Sequence, residues 1–144
     1  MQENIHQISR AQLSFVDLQS IVLESKSIEL SQDSIKAIEK CRAYLDEKVA
    51  RTDKPIYGVN TGFGLLANTK IAKEDLEDLQ ERIVLSHSAG MGDYISNESV
   101  RIMMLLKVNS LSLGYSGIRL KVIQALMDLI NKEVYPCVPK KGSV

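Results

Sequence analysis

Apolar residues recur along most of the chain at steps of three and four, the spacing that lines one face of an α-helix. Ser14 and Asp17 form a capping pair ahead of a first apolar face made by Phe15, Leu18, Val22 and Leu23. A second stripe, Ile35, Ile38, Cys41, Leu45 and Val49, predicts a helix from about Ser31 to Arg51. Its solvated side carries Lys36, Glu39, Lys40, Arg42 and Glu47. From about Lys73 the pattern resumes with Leu76, Leu79 and Ile83 and ends on His87, before Gly90 and Gly92 stop the helix. Ser96 caps a fourth helix with Val100, Met103, Met104, Leu106 and Leu111, which Gly114 terminates. Ser116 and Gly117 open a fifth, lined by Ile123, Leu126, Met127 and Ile130. Beyond Lys132 the chain runs extended through Pro136 and Pro139, because residues before proline avoid the α region. The predicted fold class is mainly α.

One stretch breaks the pattern. Lys54 to Gly64 holds three glycines and a proline, so a helix is excluded there. Around the fourth helix, Met103 to Leu106 are apolar on nearly every side, which calls for neighbours all round. That surplus predicts a piece of a larger helical protein or an obligate oligomer.

Composition narrows the function. The 144 residues carry 18 basic and 18 acidic side chains, a balance that gathers no polyanion and argues against nucleic acid as a partner. Five Tyr, two Phe and no Trp make a base-stacking platform a poor expectation as well. The first ten residues lack the apolar core of a secretory signal, and the longest apolar run, Ile102 to Leu106, is far too short to span a membrane. Cys41 and Cys137 are far apart with no metal-type spacing, so two reduced thiols in a cytoplasmic protein are expected. No cluster of His, Cys and carboxylates suggests a metal site.

Two residues carry candidate chemistry. Tyr57 sits among residues that let the backbone turn sharply. Its phenol can donate or accept hydrogen bonds, and to act as a base it needs positive charge or donors around the phenolate; from the residues alone, an ordinary loop tyrosine packed on a core edge is the more usual reading of the position. His87 closes an apolar stripe beside Ser86, which also fits a core histidine bonded to a backbone carbonyl and to Ser86. His6, near the start, is expected to be exposed. Caps and turn chemistry account for most of Asn60, Asn109, Ser112, Tyr115 and Ser116. The glycines of the loop do not match a Walker or Rossmann spacing.

The motifs themselves carry a resemblance. Tyr57-Gly58-Val59-Asn60-Thr61-Gly62-Phe63-Gly64 resembles a signature of the aromatic amino acid ammonia-lyases, and Ser86 to Gly92 resembles the SHxAGxG segment of its histidine-specific members. Asn109 to Gly117 and Val138 to Val144 match two further blocks in the same order. The resemblance implies that residues 1–144 are an N-terminal helical lyase domain with a Gly-rich active-site loop, Tyr57–Gly64 being the lid and Ser86–Gly92 the selectivity segment. It implies elimination of ammonia from L-histidine to give trans-urocanate by a cytoplasmic homotetramer.

The electrophile it implies is a methylidene-imidazolone formed from Ala-Ser-Gly, a run this sequence lacks, with Ser143 belonging to the lead-in; the 144 residues are expected to be inactive alone. By the same resemblance Tyr57 is the acid–base residue, and His87, Ser86 and Asn60 bind substrate. Tyrosine-specific relatives have a His-Leu pair in place of Ser86-His87. Arg82 and Lys107 depart from the family pattern. The alternatives are a tyrosine or phenylalanine ammonia-lyase, an aminomutase, or a non-catalytic helical interaction module.

Overall fold

Ser14 starts the first helix as its sequence predicts. The Ser14 hydroxyl accepts from the Asp17 backbone N–H at 3.1 Å, and the Asp17 carboxylate accepts from the Ser14 N–H at 3.1 Å. This reciprocal pair satisfies two donors that a helix start leaves orphaned. In this computed structural model, which describes residues 4–142 apart from Asp53, the described elements run β1 (Ile5–Ile8), α1 (Phe15–Leu23), β2 (Ser27–Leu30) and α2 (Gln32–Arg51), then α3 (Leu76–His87), β3 (Met91–Tyr94), α4 (Asn97–Ser112), α5 (Leu120–Asn131) and β4 (Pro139–Lys141). The chain is mostly helical, and single 3-10 turns occur at Gly64–Leu66 and Lys73–Asp75. Ser143 and Val144 lie outside the described residues.

The described residues divide into two compact units. One comprises Met1–Asp46 with Tyr94–Val138, the other Glu47–Asp93 with Pro139–Val144. The first holds the apolar core: Ile8, Ile28 and Leu30 from the strands, Ile21 from α1, Ile38 from α2, and Leu105, Val108, Ile123 and Ile130 from α4 and α5. Strands β1 and β2 pair in parallel, Ile5 opposite Ser27 through Ile8 opposite Leu30. The Asn131 side chain bonds the Ile28 N–H at 2.9 Å and the Ile28 carbonyl at 3.0 Å, so a side-chain amide closes the strand's other edge. Gly114 ends α4 with φ +75, and a Cβ there would lie 2.7 Å from the Ala37 carbonyl carbon, so only glycine permits this approach of α4 to α2.

Several details differ from the periodicity. Among the described residues, the four short strands were not evident in it, because segments of three or four mixed residues, such as Met91–Tyr94 and Pro139–Lys141, are too short to show a two-residue period. Helix α5 begins at Leu120, later than Ser116-Gly117 suggest, since Gly117 takes a φ of +68 that no helix accommodates. His6 is half-buried on β1 opposite Ile28, not exposed. On α4, Met104 and Leu105 are buried while Met103 and Leu106 stay exposed, which agrees with the surplus of apolar surface read from the sequence.

The cap has a pH signature. Hydrogen bonds from the Ser14 hydroxyl and backbone hold the Asp17 carboxyl below its ordinary range, and the Arg42 guanidinium does the same for Asp46. A carboxyl with a depressed folded-state pKa stabilises the fold fully above the unfolded value, and that contribution fades as pH falls through the folded value. Ser14→Ala is expected to cost about 1 kcal/mol at neutral pH. It should also flatten the loss of stability below about pH 4, measured by urea unfolding of the protein across pH. An equal acid slope in both forms would count against the cap.

Candidate active-site segments

The Gly-rich loop is a braced turn. Gly58 adopts φ +73, and the turn closes through Val59 N–H to the Ile56 carbonyl at 3.0 Å. Beneath it Asn60 is 5% exposed. Its Oδ1 accepts from the Ile56 N–H at 2.6 Å and its amide donates to the Lys54 carbonyl at 3.3 Å. Thr61, also buried, accepts from the Gly58 N–H at 3.3 Å and donates to the Gly62 carbonyl at 2.9 Å. An antiparallel bridge from Thr61 to Lys70 closes the base of the segment between them. These bonds consume the polar groups of the turn and leave Tyr57 outside, 65% exposed, with its ring edge-on to Phe63 at 5.7 Å between centroids. Among the described residues the phenol oxygen has no hydrogen-bond partner.

The end of α3 is finished by its own side chains. Side chains in the last turn of a helix can reach back to the carbonyls three and four residues earlier. Here the Ile83 carbonyl accepts from the Ser86 hydroxyl at 3.1 Å and lies 2.9 Å from His87 Nδ1, while Ser88 Oγ donates to the Val84 carbonyl at 2.6 Å. Ser86 Oγ is 3.0 Å from the same Nδ1. The partners are therefore those expected of a core histidine, a backbone carbonyl and Ser86. Its burial is not: His87 is exposed, because α3 has no buried residue to shelter it. Val84, Leu85 and, on β3, Met91 are likewise exposed. Strand β3 pairs with β4, and Lys140 Nζ lies 3.7 Å from the Asp93 carboxylate.

The four candidates thus form two pairs. Ser86 and His87 share one carbonyl, and Asn60 braces the turn that displays Tyr57. Asn60 spends its side chain on the backbone of the turn that displays Tyr57. A cavity of about 340 Å³ under the turn is lined by Asn60, Val49, Ile71, Ala72 and Leu76, not by Tyr57 or His87. Phe63 and the Ile83 carbonyl were not singled out by the sequence; an aromatic six residues after Tyr57 was the available signal for the first. Arg82 pairs with Asp78 one turn earlier at 2.7 Å, which raises its pKa. Lys107 is exposed. Among the described residues no group of three metal-ligating side chains assembles, and no helix is long and apolar enough to cross a membrane.

A mainly helical fold that presents a glycine-braced tyrosine loop and a Ser-His helix end defines a lyase-type segment, and the chain belongs to the aromatic amino acid lyase family, which it matches over residues 13–144. It is 56% identical to histidine ammonia-lyase of Vibrio cholerae over 137 residues, covering 95% of this chain and 27% of that protein. Among solved structures it resembles histidine ammonia-lyase from Trypanosoma cruzi (34% identity, TM-score 0.85, 96% of this chain and 27% of the other). It also resembles ergothionase from Treponema denticola (25% identity, TM-score 0.89, 97% and 28%). The chain spans about a quarter of the length of the curated relatives it matches.

Proposed function

We propose that these residues are the N-terminal part of an ammonia-lyase that converts L-histidine to trans-urocanate, working as a cytoplasmic homotetramer. The observation that carries this reading is the Ser86-His87 pair, held at the exposed end of α3 in a sequence 56% identical to a histidine ammonia-lyase. Tyr57 serves as the acid–base residue and His87 faces the substrate's ring. Asn60 supports both loop and substrate region. The proton lost from histidine is on an unactivated β-carbon, so a base must be placed close to it while an electrophile prepares the amino group to leave. The methylidene-imidazolone implied by the family resemblance would supply that electrophile. This sequence contains no Ala-Ser-Gly run, so these residues do not build the group; their own share is acid–base work and ring recognition.

An imidazole offers both a donor and an acceptor to a histidine, whereas a phenyl ring leaves that polar group unpaired. The test is deamination by the complete protein. L-histidine should give urocanate absorbance, with L-tyrosine and L-phenylalanine at least about a hundredfold poorer in kcat/KM. Preference for either aromatic ring would overturn the histidine assignment in favour of a phenylalanine or tyrosine lyase or an aminomutase. The 144-residue chain alone should give no turnover.

A further inference from the structure

The bonds at the end of α3 fix which nitrogen of His87 carries its proton. A backbone carbonyl has lone pairs and no hydrogen, so a ring nitrogen 2.9 Å from the Ile83 oxygen must be the protonated one. Ser86 completes a closed triangle. Its hydroxyl donates to the same carbonyl at 3.1 Å and turns a lone pair toward Nδ1 at 3.0 Å. The carbonyl requires Nδ1–H and the serine oxygen accepts from it, and the ring keeps the orientation that makes the carbonyl contact because Ser86 holds it from the second side. In the neutral ring Nε2 is then a lone pair. Among the described residues Nε2 makes no hydrogen bond.

We propose that Ser86 and the Ile83 carbonyl lock His87 as the Nδ1–H tautomer, so that Nε2 acts as a fixed hydrogen-bond acceptor that selects ligands whose ring offers an N–H donor. Ser86 is a positioning residue for this selection. The inference rests on the proposed contact between His87 and the substrate ring and adds its polarity: the substrate gives the hydrogen and the enzyme receives it. A ring presenting only an acceptor nitrogen would set two lone pairs against each other.

The test measures binding without chemistry. Inhibition constants of 3-(imidazol-4-yl)propionate and 3-(thiazol-4-yl)propionate are compared on the complete protein at about pH 9, where the free imidazole is neutral. Thiazole keeps the ring nitrogen as acceptor but has sulfur in place of the N–H. The imidazole compound should bind at least about tenfold more tightly to the native protein. Ser86→Ala should shrink that ratio about threefold or more, and Ser86→Thr, which keeps the hydroxyl, should restore it. A merely structural serine would weaken both compounds alike and leave the ratio unmoved. Equal binding of the two compounds to the native protein overturns the proposal without need of any variant, as does a ratio unchanged in Ser86→Ala. His87→Phe separates the two levels. If it removes the preference for L-histidine while the native ratio is near one, the polarity fails and the contact survives. If it leaves L-histidine kinetics untouched, the contact itself fails.

Discussion

Tyr57→Phe in the complete protein is expected to lower kcat for L-histidine about a thousandfold, within the range that a positioned acid–base group contributes. The substitution removes one oxygen and little else. The ring would keep its edge-on contact with Phe63, and Gly58, Asn60 and Thr61 would still close the turn beneath it. Because the phenol is exposed and bonded to nothing among the described residues, its loss should leave thermal stability and KM within a few-fold of the native values. Steady-state kinetics with a parallel unfolding curve read both. A kcat within tenfold of native would remove Tyr57 from the proton transfer, whatever the loop's shape. A second substitution, Asn60→Ala, separates display from chemistry, since it strips the brace from Ile56 N–H and the Lys54 carbonyl while leaving the phenol intact. It should lower kcat less than Tyr57→Phe and should also destabilise the loop.

What the sequence made legible follows from how locally each feature is decided. The Ser14–Asp17 cap and the α2 stripe are settled within a few residues, and both stand where the spacing puts them. Partners of Ser86 and His87 were readable because side chains in a helix's last turn reach back to carbonyls three and four residues earlier. Burial of His87 was not, because it depends on what packs against α3, and the stripe of Leu76, Leu79 and Ile83 is only half-buried. The strands escaped notice for a similar reason. β2 is held by parallel pairing with β1 and by the Asn131 side chain, both distant along the chain. The inner role of Asn60 was also invisible: the same residue type serves a turn or a ligand, and only the 2.6 Å bond to Ile56 N–H shows which backbone it serves here.

Arg101→Ala should be the most destabilising of the single substitutions, about 3 kcal/mol, read as a shift in the urea midpoint at unchanged slope. Arg101 projects from α4 and is 7% exposed, an unusual place for a guanidinium. Its Nη2 donates to the Lys26 carbonyl at 3.1 Å and its Nη1 to the Tyr135 hydroxyl at 3.1 Å, with the exposed Glu133 carboxylate 3.5 Å away. One side chain thus ties the entry to β2 to the extended tail after α5. Removing it strands the Lys26 carbonyl, frees the tail and opens space in the first unit's interior. The arrangement is costly even when intact, since Nε is buried without a partner and the ion pair is long. For that reason Arg101→Met, which refills much of the volume with no charge to bury, should cost clearly less than Arg101→Ala. Equal losses would mean that the hydrogen bonds to Lys26 and Tyr135 outweigh the packing. A loss below about 1 kcal/mol for Arg101→Ala would mean that the tie contributes nothing net to the fold.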